Sequence, residues 1–178
     1  MPEDLLFELT RRYCEPHRDY HDLRHIADML VRGRELALDA VQVAAVWFHD
    51  AIYDPRSATN EADSAALAER SLAAIGWQPD AIASAAAIVR DTKGHVPSSP
   101  AAAPVLDLDL ASLAAPWAEF TANTARIRFE YAHVPEADFV VGRRRFFAAM
   151  LQRERLFWTP WGQRLEATAR ANLVRAVG

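Results

Sequence analysis

The sequence predicts an all-α protein that folds as one helical bundle. Ala, Leu, Arg and Glu are abundant, Gly is scarce and β-branched residues are few, a composition that favours helices over strands. Apolar residues recur at helical spacing in most segments, for example Leu5, Leu9 and Tyr13. No segment has convincing strand character, and no internal repeat or low-complexity tract interrupts the pattern.

About eight helices are expected, and breakers and capping residues suggest their bounds. Pro16 ends the first, Gly76 and Gly94 end later ones, and Asn60 is a good N-cap with Asp63 in the position of a capping-box residue. The expected helices cover residues 3–13, 19–32, 39–52, 61–75, 79–92, 105–115, 117–133, 139–155 and 163–177. The Pro- and Ser-rich stretch 96–104 is expected to be a loop within a single domain of residues 1–178.

Charge and composition exclude several classes of partner. The formal net charge of −4 and the pI of about 5.9 argue against binding to a nucleic-acid polymer, which needs a basic face. The single cysteine, Cys14, cannot form an internal disulfide and suits a reducing compartment. Residues 1–12 lack the apolar segment of a signal peptide, and no apolar run reaches the ~20 residues of a membrane span. We therefore expect a cytoplasmic protein.

The helix expected at residues 39–52 is the most apolar and carries the first candidate site. Six apolar residues, Val43 to Phe48, lead directly into His49 and Asp50. Burying an unpaired carboxylate or imidazolium is costly, so this pair needs a partner. The pair could be hydrogen-bonded within the core, or it could bind a divalent cation, for which His and Asp are a normal ligand set.

Two other helices offer further ligands. His25 lies on the helix at 19–32, and Asp107 and Asp109 lie on the helix at 105–115. Metal sites in helical bundles are built from facing helices, and residues two apart on one helix face different ways, so only one of the two aspartates should bind. A metal-site core of about residues 19–115 would result, with the helices of 117–178 packed on it. The ion could be Mn, Mg, Fe, Co or Zn.

A longer ordered series of residues resembles a known family. The series is Tyr20-His21, Leu23, His25-Ile26, Trp47 to Asp54, Asn60-Glu61, Ser64-Ala65, Thr92 to His95, Asp107 to Leu110, Arg128 to Tyr131, Gly142-Arg143 and Ala169 to Leu173. It is similar to a bacterial subfamily of the HD superfamily of metal-dependent phosphohydrolases. The resemblance implies an HD-type bundle in which His25, His49, Asp50 and a distal Asp bind the metal. Asp109, followed by Leu110, matches the family pattern better than Asp107.

The resemblance also suggests roles around the metal. Glu61 and Asp54 are candidates for the proton-transfer group, although Glu61 could merely favour a helix N-terminus and Asp54 could merely cap the turn before Pro55. The candidates for substrate contact are His21, Lys93, His95, Arg128, Tyr131 and Arg143. Each has a simpler alternative in packing or solvation. Tyr53-Asp54 stands where the nucleotide-signal hydrolases of this superfamily carry a Glu-Asp pair, which argues against that particular substrate.

Three functions are compatible with these residues. The first is a metal-dependent phosphohydrolase that attacks a small phosphorylated molecule, such as a nucleotide, with a metal-activated water. The second is a dinuclear iron oxygenase on the HD scaffold, with His95 and His21 as additional ligands. The third is a non-enzymatic module that binds a nucleotide or metabolite. The sequence leaves room for a homodimer.

Overall fold

The computed structural model describes residues 1–178 and contains helices, turns and loops without any strand. The predicted all-α bundle is therefore confirmed. Ten α-helices follow one another: α1 (Glu3–Tyr13), α2 (Leu23–Gly33), α3 (Ala40–Phe48), α4 (Asn60–Ala74), α5 (Pro79–Asp91), α6 (Ala103–Leu110), α7 (Trp117–Glu130), α8 (Glu136–Leu151), α9 (Pro160–Gln163) and α10 (Glu166–Val177). Short 3-10 turns follow α2 and α6, at Arg34–Leu36 and Ala111–Ala114.

The main departures from the expected bounds occur at the ends of helices. α2 begins at Leu23 instead of Asp19, because the Asp22 side chain accepts a hydrogen bond from the Arg24 amide and caps the helix there. α3 ends at Phe48, so His49 and Asp50 lie immediately beyond it. The helix expected at 163–177 is α10, which begins at Glu166, and a short additional helix, α9, precedes it, so the structure has ten helices instead of about eight.

The N-terminus of α4 also differs from the prediction. Thr59 is the capping residue, and its hydroxyl donates to Asp63. Asn60 is the first helical residue, and its side-chain amide pairs with the backbone N–H and C=O of Asp54. These two hydrogen bonds close the loop between α3 and α4, which keeps that loop folded beside the end of α3.

α3 is the central helix, as its apolar sequence predicts. Its N-terminus is fixed by a reciprocal capping box between Asp39 and Gln42. Ala44, Ala45 and Phe48 are fully buried, and the helix packs against α2, α4, α5 and α6. The small alanines let neighbouring helices approach closely, so the residues that follow Phe48 emerge at a point where several helices converge.

Two apolar clusters form the core. The larger one comprises residues of α1 to α6 together with Trp161, and the smaller one is centred on Phe120, Phe147, Phe157 and Leu173 of the C-terminal half. α6 contributes to both, since Leu106 and Leu108 lie in the first and Leu110 in the second. None of the ten helices combines the length and the apolar character needed to cross a bilayer.

Candidate metal centre

His25, His49 and Asp109 converge at one point, although they are far apart in sequence. They come from α2, from the residue after α3, and from α6. His25 Nε2 lies 3.3 Å from His49 Nε2 and 3.1 Å from Asp109 Oδ1. One ligand atom from each residue lies within 4.8 Å of the other two. This group could hold a metal ion.

The local backbone fixes how His49 faces the cluster. Its Nδ1 lies 2.9 Å from the carbonyl oxygen of Val46, one turn earlier in α3. Because a carbonyl only accepts, Nδ1 carries the hydrogen, and the lone pair of neutral His49 is on Nε2, directed to His25 and Asp109. Such a bond to the second ring nitrogen is the usual way in which proteins orient a metal-binding histidine.

Asp50 stands at the edge of the same cluster. Its Oδ2 lies 3.1 Å from His49 Nε2. Burial opposes charge on His49, but Asp50 and Asp109 outweigh it and raise the pKa of His49 to about 9. Burial likewise opposes ionisation of Asp50, and the neighbouring His49 still holds the pKa of that carboxyl well below its usual value. The carboxylates therefore make the cluster a strong site for positive charge.

Asp107 is directed away from this cluster. It is fully buried, and its oxygens accept hydrogen bonds from the amides of Trp158 and Thr159, both at 2.7 Å, and from the Thr159 hydroxyl at 2.6 Å. Burial raises the pKa of Asp107 in spite of these donors. Asp107 thus ties the segment before α9 to α6, and Asp109 is the aspartate at the candidate centre.

His95 also reaches Asp109. Its Nε2 lies 3.0 Å from Asp109 Oδ2, whereas His25 approaches the other oxygen, Oδ1. His95 has a φ of 50°, in the left-handed region that residues other than glycine rarely adopt. The indole N–H of Trp158 donates to the His95 carbonyl at 3.2 Å and helps hold this conformation. A strained backbone at such a position is typical of functional sites.

Tyr13 and Arg18 secure the chain just after α3. The Tyr13 hydroxyl donates to the Trp47 carbonyl at 3.0 Å and accepts from the Asp50 amide at 3.2 Å. The buried Arg18 guanidinium donates to the carbonyls of Asp50 and Ala51. These bonds satisfy backbone groups at the helix C-terminus and fix the position of the His49-Asp50 pair.

Glu130, at the end of α7, organises the loop before α2. Its Oε1 accepts hydrogen bonds from the amides of Asp19, Tyr20 and His21 at 2.8–2.9 Å. Its Oε2 lies 2.6 Å from His21 Nδ1 and accepts from the Tyr53 hydroxyl at 2.8 Å. Burial opposes ionisation, but these donors lower the pKa of Glu130 to about 2. Burial opposes protonation of His21, yet the bond to Glu130 raises its pKa.

A cavity of about 580 Å³ opens beside the cluster. Asp50 and Asp109 line it from the metal side, and α7 and α8 supply the opposite wall. The other sequence-predicted residues that line it are His21, Glu61, Lys93, His95, Tyr131 and Arg143. Lys93 Nζ lies 3.3 Å from Glu61 Oε2 and also donates to the Ala58 carbonyl, so this cation is already paired.

Of the residues expected to transfer a proton or contact the substrate, two do not line the cavity. Asp54 is exposed and accepts from the Arg56 amide at 2.9 Å, so its carboxylate caps a turn around Pro55. Arg128 donates to the carbonyls of Tyr131 and Val134 and pairs with Glu136 at 2.6 Å. Its guanidinium closes the turn between α7 and α8, and each of its three nitrogens already has a partner within the protein.

Sequence reasoning missed the importance of Glu130, although a signal for it exists. The buried positions of α7 are Phe120, Asn123, Ile127 and Glu130, which follow helical spacing. Extending the apolar stripe by one turn places the carboxylate inside the protein, where it needs several donors. Helical spacing with Leu5 and Leu9 predicts that the ring of Tyr13 is buried, but no pattern reveals its hydroxyl contacts or the role of Arg18, because their partners are backbone groups of another segment.

Comparison with known proteins identifies no relative: no protein-family model, no curated protein and no solved structure matches this chain. What the geometry establishes is a group of two histidines and one aspartate that could bind a metal ion.

Proposed function

We propose that the protein is a metal-dependent phosphohydrolase of the HD type, acting on a small phosphorylated molecule. The observation that carries this proposal is the convergence of His25, His49 and Asp109, with Asp50 at their edge, beside a cavity that the two aspartates line. The ordered series of residues that resembles the HD superfamily supports the same assignment. Asp50 joins His25, His49 and Asp109 as the fourth proposed ligand.

The donor set suits a divalent cation. Imidazole nitrogens together with carboxylate oxygens are common ligands of Mn, Fe, Co and Zn, and carboxylates also bind Mg. When bound, such an ion would polarise a phosphoryl oxygen and lower the pKa of a bound water. The network that orients His49 and the backbone around Asp50 would keep the ligands in place before the ion arrives.

Side chains around the cavity can serve the remaining needs of the reaction. Glu61 is the acidic candidate for proton transfer that lines the cavity, and its pairing with Lys93 keeps both groups at the wall. Burial raises the pKa of Tyr131, so this phenol stays neutral, whereas the Tyr53 hydroxyl already donates to Glu130. The neutral phenol of Tyr131 can donate a hydrogen bond to an anionic substrate.

The size of the cavity fits a small substrate. At about 580 Å³ it falls within the ~300–1,000 Å³ typical of small-molecule sites. A nucleotide is one molecule of suitable size. A nucleic-acid polymer is not proposed, because the chain carries a net charge of −4.

Hydrolysis assays test this proposal directly. The purified protein, loaded in turn with Mn²⁺, Mg²⁺ or Co²⁺, is expected to release phosphate from p-nitrophenyl phosphate or from a member of a nucleotide panel. His49→Ala and Asp50→Ala should abolish the release, and Arg145→Gln, on an exposed part of α8, should not. Absence of metal-dependent turnover across the panel would contradict the proposal, and tight ligand binding without turnover would favour a non-enzymatic binding module.

One observation favours the second candidate, a dinuclear iron oxygenase. Asp109 presents separate oxygens to His25 and to His95, so His95 and the second Asp109 oxygen could help to hold a second ion. Metal counting separates the two chemistries. One ion per chain supports the hydrolase, whereas two redox-active irons with oxygen consumption would support the oxygenase.

A further inference from the structure

Arg143 of α8 is a cation without a partner inside the cavity. Its Nε is buried and makes no hydrogen bond. The guanidinium carbon lies 4.5 Å from the ring centre of Phe147 and 5.0 Å from that of Phe146, so the side chain is held against two aromatic rings. These contacts immobilise the group and leave its donors free.

Arg143 forms no ion pair with a carboxylate, although Asp50, Glu61, Asp109 and Asp138 line the same cavity. The ionisable groups that act on the pKa of Arg143 are the phenols of Tyr20, Tyr131 and Tyr53, which are neutral at neutral pH. Burial lowers the pKa of Arg143, yet an arginine stays charged at neutral pH. Lys93, the other cation of the cavity, differs because it is paired with Glu61. A partly buried cation without a counter-charge is unfavourable, and an anion supplied by a ligand would relieve it.

The surroundings of Arg143 differ from those of the metal cluster. α7 and α8 present Phe120, Ile127 and Phe139 to the same cavity, so an apolar wall accompanies the guanidinium. The proposed metal ligands come from α2, α6 and the end of α3 instead. Arg143 also lines a smaller cavity of about 370 Å³, and Arg144 and Arg175 bring further positive charge to that cavity.

We propose that Arg143 is the anchor of a second anion-binding subsite, separate from the metal centre. The substrate is then a small molecule with two anionic groups joined by a partly apolar body. One group is the phosphoryl group at the metal, and the other is a phosphate or carboxylate held by the guanidinium. The description of the substrate rests on the proposed hydrolase function, but the subsite itself does not.

A titration of the metal-free protein tests the subsite. The Nε–H resonance of Arg143 can be followed by nuclear magnetic resonance in ¹⁵N-labelled protein while inorganic phosphate or acetate is added. We expect a saturable shift of this resonance with one or both anions. The anion that binds more tightly shows whether the subsite prefers a phosphate or a carboxylate. The same titration of His49→Ala should give the same shift, because the metal ligands are not involved. An unchanged Arg143 resonance with both anions would overturn the proposal, and a response equal to that of exposed arginines would mean an adventitious ion only.

Kinetics of the metal-loaded enzyme test the substrate class. Arg143→Gln and Arg143→Lys are compared with Arg145→Gln, whose arginine is exposed and lines neither cavity. With propane-1,3-diyl bisphosphate, Arg143→Gln should raise KM about 10- to 100-fold, the usual effect of losing a charge-assisted hydrogen bond. With propyl phosphate, KM should change by less than about 3-fold. Equal losses on the two substrates would place Arg143 at the scissile phosphoryl group and refute a separate subsite.

The two experiments separate failure of the inference from failure of the proposed function. If the protein binds anions at Arg143 but shows no metal-dependent hydrolysis, the subsite is supported and the hydrolase function is contradicted. If the protein hydrolyses phosphoesters but the Arg143 resonance does not respond to anions, the hydrolase function is supported and the subsite is contradicted. Circular dichroism of each variant shows whether a loss reflects unfolding, and the titration of the wild-type protein needs no variant.

Discussion

Asp107 and Asp109 lie two residues apart on α6, and their carboxylates contact different parts of the protein. The oxygens of Asp107 accept from the backbone of Trp158 and Thr159, whereas those of Asp109 face His25 and His95. The same side chain on the same helix therefore serves structure in one case and the candidate metal centre in the other. This matched pair allows the two roles to be separated by experiment.

Removal of the Asp109 charge should weaken metal binding. Asp109→Asn is expected to lower the affinity for Mn²⁺ or Co²⁺ by at least about 100-fold, because it removes a proposed ligand. Substitution of a residue that only orients a metal ligand already lowers metal affinity about 10- to 100-fold. Calorimetry with the metal-free protein measures this. Asp107→Asn is the control and should leave the affinity within about 3-fold, because Asp107 faces α9 and not the cluster. Equal losses in the two variants would contradict the assignment of Asp109.

Asp107→Asn should instead destabilise the fold. Its carboxylate is fully buried and accepts three hydrogen bonds, and an amide nitrogen in place of one oxygen would face donors. We expect a loss of about 1–3 kcal/mol in the free energy of unfolding. Urea denaturation checks this value against Asp138→Asn, an exposed aspartate that should change stability by less than about 0.5 kcal/mol.

The sequence was sufficient to predict the elements but not their ends. Apolar periodicity placed the helices, and the apolar run of α3 correctly marked it as central. The residues before α2 were expected to be helical, yet the structure holds them in a loop through three amides bound to Glu130. Glu130 lies more than 100 positions from these residues in the sequence, and local propensity cannot predict such a contact.

The candidate site shows the same limit. The choice of Asp109 over Asp107 followed a sequence pattern, and the structure brings Asp109, not Asp107, to the two histidines. The family resemblance suggested Arg128 for substrate contact and Asp54 for proton transfer. Their donors and acceptors are instead used by nearby backbone groups, an outcome that depends on turn geometry.

Tyr13→Phe tests whether the support behind α3 matters for the centre. The change deletes one oxygen, which bonds the Trp47 carbonyl and the Asp50 amide, and it leaves the ring in place. We expect a loss of about 1–2 kcal/mol in stability and a metal affinity about 10-fold lower, because Asp50 is less well positioned. Thermal unfolding and calorimetry measure the two effects. A normal metal affinity in a destabilised variant would show that Tyr13 is purely structural.

Glu130→Gln should make the free energy of unfolding less dependent on pH in the acid range. The pKa of Glu130 is about 2 in the folded protein and 4.5 for the unperturbed group, so the carboxylate binds fewer protons when folded. Its stabilisation, on the order of 3 kcal/mol, is therefore complete above about pH 4.5 and is lost as the pH falls towards 2. His21, whose pKa is raised from 6.5, acts in the opposite sense and loses its contribution only as the pH rises above that value.

Measurements between about pH 5.5 and pH 3 isolate the carboxylate, because His21 stays mostly protonated in both states over that range. The difference in unfolding free energy between the wild type and Glu130→Gln should decrease by about 2 kcal/mol as the pH falls from about 5.5 to about 3. Glu136→Gln is the control, since Glu136 is an exposed residue at the start of α8 and its gap should be nearly constant. A gap between the wild type and Glu130→Gln that stays the same at both pH values would show that the charge of Glu130 does not stabilise the loop before α2.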